Sequence, residues 1–170
     1  AIRTLTEEEA MDESRRCLQC DLVCNVCTTV CPNRANVALL SLPMPHPVQV
    51  AVRDGDGVRV ETLSNRRLEQ SYQIVNIADA CNECGNCKSF CPYASAPYKD
   101  KFTLFASEAD MADSTNDGFA VINPETKECK VRLLGRISDC KADDANDKLY
   151  EGLRRLICAV IDDYSYLIMK

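Results

Sequence analysis

Nine of the twelve cysteines of this 170-residue chain are crowded into two short runs. The first holds Cys17, Cys20, Cys24, Cys27 and Cys31-Pro32; the second holds Cys81, Cys84, Cys87 and Cys91-Pro92. The second run reads C-x2-C-x2-C-x3-C-P. With that spacing thiolates bind a pair of [4Fe–4S] clusters, the fourth Cys of a run serving the other cluster. The first run closes in the same way, C-x2-C-x3-C-P, with two further cysteines ahead of it. Thiolate is a soft ligand that favours iron–sulfur clusters, Zn and Cu(I) over hard cations. Zinc ribbons use two separate CxxC knuckles and four ligands in all. Runs of at least three Cys plus a Cys-Pro fit two cubanes that share ligands crosswise. On that reading Cys81, Cys84 and Cys87 bind one cluster with Cys31, and Cys91 joins three of Cys17, Cys20, Cys24 and Cys27 at the other. One first-run cysteine is then spare. Cys17, Cys20 and Cys27 are the favoured three, on the strength of the Cys17-x2-Cys20 pair and the Cys27-x3-Cys31-Pro32 ending.

The bulk composition agrees with bound thiolate. Crowded cysteines followed at once by Pro are badly placed to form disulfides with one another and well placed to converge on a metal, which implies a reducing, cytoplasmic setting. A net charge of −6 argues against nucleic acid as a partner, because phosphate binding needs clustered Lys and Arg. No apolar run approaches the ~18 residues of a membrane-spanning helix, so no membrane partner is expected. The hydrophobic fraction of 46% suits a globular domain. The chain starts at Ala1 rather than Met, as the tail of a longer polypeptide or a trimmed subunit would.

Several elements must position the cysteines. Thr6 followed by Glu7, Glu8 and Glu9 reads as a capping box, and predicts a lead-in helix over 4–16. Residues 35–42 suggest one or two helical turns. Alternation on either side of Asp54-Gly55-Asp56-Gly57 predicts a β-hairpin over 49–62. Residues 72–79 read as a short strand into the second cysteine run, where Gly85 lets the backbone lie close to a cluster. The aromatic segment 97–105 is suited to covering a cluster or to ordinary packing. Residues 106–118 read as a surface loop, 119–134 as a second hairpin turning at 123–126, and 144–161 as a helix with the stripe Leu149, Leu153, Leu156, Val160. Residues 164–169 suit a last strand or a docking tail. His46 and the scattered Cys129, Cys140 and Cys158 carry no ligand spacing, and read as a solvated loop residue and structural thiols.

Certain stretches resemble known proteins. Glu13-Ser14-Arg15-Arg16-Cys17-Leu18-Gln19-Cys20 is similar to the E-A-x-R-C-L-x-C opening of the iron–sulfur domain in glutamate synthase small subunits and dihydropyrimidine dehydrogenases. Val30 to Asn36, Cys81 to Cys87 and Pro97 to Phe105 more closely resemble the C-terminal iron–sulfur region of large-subunit flavoproteins named for selenate reductase, which accompany molybdenum hydroxylases. The likeness covers residues 4–120. It departs from the glutamate synthase pattern where three residues, not four, separate Cys20 from Cys24. The resemblance implies FAD and NAD(P)H as companions of the clusters. With no G-x-G-x-x-G in the chain, their sites are expected on a partner flavoprotein or on a missing N-terminal part.

The expected fold is α+β: a ferredoxin-like two-[4Fe–4S] domain with β-hairpin insertions and a C-terminal helix. Its divisions are a lead-in helix (1–16), a two-cluster domain (17–105) and a C-terminal extension (106–170). The expected function is relay of single electrons through two [4Fe–4S] clusters between a flavin/NAD(P)H unit and a partner oxidoreductase of molybdenum-hydroxylase type. No catalytic residue is expected in this chain. The rival readings are a structural zinc module within a complex and an iron–sulfur carrier.

Overall fold

Thr6 and Glu9 close a reciprocal capping box. The Thr6 N–H donates to Glu9 Oε2 at 2.9 Å and the Glu9 N–H to Thr6 Oγ1 at 3.3 Å, opening α1, Glu7–Arg15. The computed structural model describes residues 4–15, 24–40, 44–68 and 72–168. After α1 come α2 (Val26–Val30), β1 (Asn36–Leu40), β2 (Met44–Asp54), β3 (Gly57–Leu68) and β4 (Tyr72–Ile77). The second half holds α3 (Asn86–Ser89), α4 (Pro97–Asp100), β5 (Thr103–Phe105), α5 (Glu108–Ala112), β6 (Gly118–Asn123), β7 (Glu128–Leu133), β8 (Arg136–Lys141) and α6 (Glu151–Asp163).

Six strands form one mixed sheet in the order β1-β4-β5-β6-β7-β8, and β2 pairs with β3 separately. The β4–β5 and β5–β6 pairs are parallel and the rest antiparallel. Successive side chains of a strand point to opposite faces, and the sheet uses both. Val75, Leu104, Phe119 and Val131 pack in one cluster with Leu153, Leu156, Ile157, Val160 and Ile161 of α6. Each of these five helix side chains is worth ~1.5–3 kcal/mol for leaving water. Their alternating neighbours serve the other face. Ile74 packs with Cys27 and Cys87, while Phe105 and Ala120 pack with Met111 of α5. The sheet is thus a partition, with α6 on one side and the cysteine segments and α5 on the other.

Five expectations are corrected. Residues 36–40 form a strand, not helical turns: Asn36 pairs with Asn76 and Leu40 with Tyr72, and Leu39 is buried while Leu40 is exposed. Pairing with β4 overrides the helix propensity of Ala and Leu. The expected surface loop at 106–118 contains α5, capped by Ser107, whose Oγ accepts from the Asp110 N–H at 3.1 Å; Met111 beneath it is buried. The last helix starts at Glu151 rather than near Asp144. Asp147 accepts from the N–H groups of Lys141 and Leu149, each at 2.9 Å, and Asp144 from that of Asn146, and such local bonds compete with helix. The chain end turns as a 3-10 helix, Ser165–Leu167, rather than a strand. The two hairpins form as expected, the first extended to Met44 and Leu68, and His46 falls on β2 rather than in a loop.

Candidate metal centre

Each cysteine segment holds a short helix that is followed by a turn. Cys27 lies in α2 and Cys87 in α3, and both are buried in one apolar cluster with Ile74, against which Val30 and Tyr98 pack. Pro32 and Pro92, each directly after a cysteine, cannot continue a helix, so each segment turns after its last cysteine.

Cys31, Cys81, Cys84 and Cys87 line a single small cavity, together with Gly85, Asn86, Asn36 and Tyr98. Three of these thiols come from the second run and one from the first. Cys24, Cys27 and Cys91 are described but stand outside that lining. Cys17 and Cys20 lie outside the described residues. Among the described residues, no three ligand-type side chains are grouped so as to hold a single metal ion.

The surroundings suit a thiolate-bound group. The Ala35 N–H donates to Cys31 Sγ at 3.2 Å, the kind of bond that orients a ligand sulfur and tunes the centre it holds. Gly85 has φ 79, a left-handed conformation that costs glycine nothing, and a Cβ there would meet open space. Asn86 Nδ2 donates to the Val30 carbonyl at 3.2 Å and ties the second segment to the first. Asn36 Nδ2 donates to the Cys27 carbonyl at 3.3 Å, and Asn76 Nδ2 to Asn36 Oδ1 at 3.1 Å. Burial pushes the Cys27 thiol above its usual range, the charge of Lys101 pulls it back, and Cys87 and Cys24 add to the rise. Within the aromatic segment only Tyr98 faces the cysteines; Phe102 stacks on Phe119 with ring centroids 5.5 Å apart, and Phe105 packs with Met111. Asp100 closes α4, the helix that carries Tyr98, because its Oδ2 accepts from Ser95 Oγ and from the Ala96 N–H, both at 2.6 Å.

The remaining cysteines belong to the core. Cys129 and Cys140 face each other across β7 and β8, and Cys158 on α6 is partly buried beside them. Burial pushes the thiols of Cys129 and Cys140 up to about 12. Reading single residues did not find Asn36, Asn76, Asn86 or Lys101. Each acts across a long stretch of chain, and only Asn36 and Asn86, next to a cysteine run, carried even a local signal.

The described residues define an α+β protein whose mixed sheet carries two cysteine segments on the face opposite α6. "Putative oxidoreductase YgfK" of Escherichia coli (strain K12) is 38% identical to it over 121 residues, 71% of this chain and 9% of the relative. The protein of that name from Escherichia coli O157:H7 gives the same figures. The chain thus spans about 9% of the length of the curated relatives it matches. No protein-family model and no solved structure matches it. No described helix is long and apolar enough to cross a membrane.

Proposed function

We propose that this chain is an electron-transfer module with a ferredoxin-like pair of [4Fe–4S] clusters, serving a larger oxidoreductase. The observation that carries the reading is the cavity shared by Cys31 with Cys81, Cys84 and Cys87. A set drawn from both runs is what two clusters with exchanged fourth ligands require. A similarity to a relative named as an oxidoreductase supports a redox role. When bound, such clusters supply reversible one-electron storage at potentials of roughly −700 to +450 mV.

The chain's own residues would do the rest. Thiolates of Cys31, Cys81, Cys84 and Cys87 would hold one cluster. Ile74 and Tyr98 limit water around it, the Ala35 N–H stabilises sulfur charge, and Lys101 offsets negative charge near Cys27. Electrons would enter from a flavin and NAD(P)H unit, on a partner or on another part of the polypeptide, and leave to a molybdenum-hydroxylase-type subunit.

The test is electron paramagnetic resonance on anaerobically purified, dithionite-reduced protein. The expected spectrum is that of two interacting reduced cubanes, and Cys31→Ser and Cys84→Ser should perturb the same component. A spectrum silent in both redox states, with zinc bound, would overturn the reading and leave a structural module.

A further inference from the structure

Arg136, Ser138 and Cys140 are alternate residues of β8, so they share one face of the sheet. Cys140 packs in the cluster under α6. That helix begins only at Glu151, and Arg136 and Ser138 stay exposed. The β2–β3 hairpin stands at this end of the sheet instead, tied down by two hydrogen bonds. Arg53 Nη2 donates to the Leu134 carbonyl at 2.9 Å, and the Glu151 N–H donates to Gln49 Oε1 at 3.1 Å. Between the hairpin and β8 lies a cleft of about 780 Å³, within the range of about 300–1,000 Å³ usual for small-molecule sites. Its apolar walls are Val58 and Val60 of β3, Leu133 of β7, and Leu149 and Tyr150 ahead of α6, all half-buried.

The charged groups around this cleft are unequally engaged. Asp147 accepts from the Lys141 and Leu149 N–H groups, and Asp139 pairs with Lys130 Nζ at 3.5 Å. Arg136 and Lys148 also line the cleft, and among the described residues neither pairs with a carboxylate. Arg136 Nη1 lies beside the hairpin turn, 3.5 Å from where a Cβ on Gly57 would stand. Two such cations over apolar walls suit an anion carried on a flat ring. Phosphate sites commonly recruit free backbone N–H groups. Here those of Lys141 and Leu149 are held by Asp147, that of Glu151 by Gln49, and those of Leu134 and Gly135 by Asp117. A guanidinium, by contrast, matches a carboxylate with two parallel hydrogen bonds. We propose that this cleft binds a small aromatic carboxylate, with its carboxylate on Arg136 and Lys148 and its ring against Val58, Val60 and Leu149. The cleft lies on the α6 face of the sheet, opposite the cysteine segments, so the proposal stands apart from the two-cluster reading.

The test is isothermal titration calorimetry of the anaerobically purified chain with naphthoate, uncharged naphthamide and ringless acetate. Naphthoate should bind at one site, and more tightly than either of the others. Arg136→Gln should weaken naphthoate about tenfold, as loss of a hydrogen-bonded charge does, and Lys148→Gln should weaken it less. Arg59 lies on the other face of β3, paired with Glu61 at 2.7 Å. Arg59→Gln removes the same charge from the chain and should leave the affinity unchanged. All three side chains are exposed, so the variants keep the fold. No binding at millimolar naphthoate, equal affinity for naphthamide, or wild-type affinity in Arg136→Gln would each overturn the proposal. None of these results would alter the iron and sulfide content on which the two-cluster reading depends.

Discussion

Asn36 and Asn76 stand opposite each other on β1 and β4, and Asn76 Nδ2 donates to Asn36 Oδ1 at 3.1 Å. Asn36 passes the connection on, donating to the carbonyl of Cys27 at 3.3 Å. Both side chains are almost wholly buried, so each partner lost leaves a polar group without water. Asn36→Ala strands the Asn76 amide and the Cys27 carbonyl together. The expected loss is about 1–3 kcal/mol, read from denaturant unfolding of the holoprotein. A loss within experimental scatter would show that the pair does not hold the first cysteine segment to the sheet.

Gly118 has no room for a side chain. A Cβ there would be driven into the Thr103 carbonyl and would lie 2.7 Å from Phe105 Cε2. Backbone cannot swing aside, so Gly118→Ala should force β5 and β6 apart. Overpacking usually costs ~1–3 kcal/mol, and this site belongs at the upper end or beyond. Gly55→Ala, at an open turn with φ 55, should cost less despite its left-handed backbone. Thermal melts of the two variants compare them directly.

Stability should fall in alkali. Burial holds the thiols of Cys129 and Cys140, and the hydroxyl of Tyr150, up to about 12 in the folded chain. In the unfolded chain thiols titrate near ~8.5 and tyrosine near ~10. Between those values and about 12 the unfolded state has released protons that the folded state retains. Stability is therefore unaffected by these groups below pH ~8.5 and declines above it, by at most about 1.4 kcal/mol per pH unit for each group. Denaturant midpoints at pH 8, 10 and 11 measure the slope. Cys129→Ala should flatten it, and an equal slope in that variant would contradict the assignment.

Lys101 places a positive charge near Cys27. A cation beside a cluster favours the added electron. Lys101→Met should therefore lower the reduction potential of the neighbouring centre. A partly exposed charge interaction is worth up to about 1 kcal/mol, or about 40 mV for a one-electron couple. Redox titration followed by electron paramagnetic resonance reads the shift, and a rise in potential would contradict the placement of the charge.

Local signals in the sequence were good guides where they were strong. The Thr6 and Glu9 box, the Asp-Gly hairpin turn, the Asn123 turn and the apolar stripe of α6 all form. Ser107 and Asp110 gave an equally local signal for α5, since the Ala106 N–H also donates to Asp110 Oδ2 at 3.0 Å, but the acidic, small-residue stretch around them hid it. β1 was hidden because Val37 to Leu40 suit a helix as well as a strand, and only β4, some 35 residues on, decides the matter. β8 was hidden because it is an exposed edge strand with a polar face. At the candidate site the cysteines are legible from spacing, whereas Asn36, Asn76 and Lys101 reach them from elements brought close only by the sheet.

The most direct test of the two-cluster account is metal and acid-labile sulfide analysis of the anaerobically purified chain. The account predicts about eight iron and eight sulfide per chain, as two cubanes demand. About two zinc ions and no sulfide would contradict it and leave the cysteines a structural role.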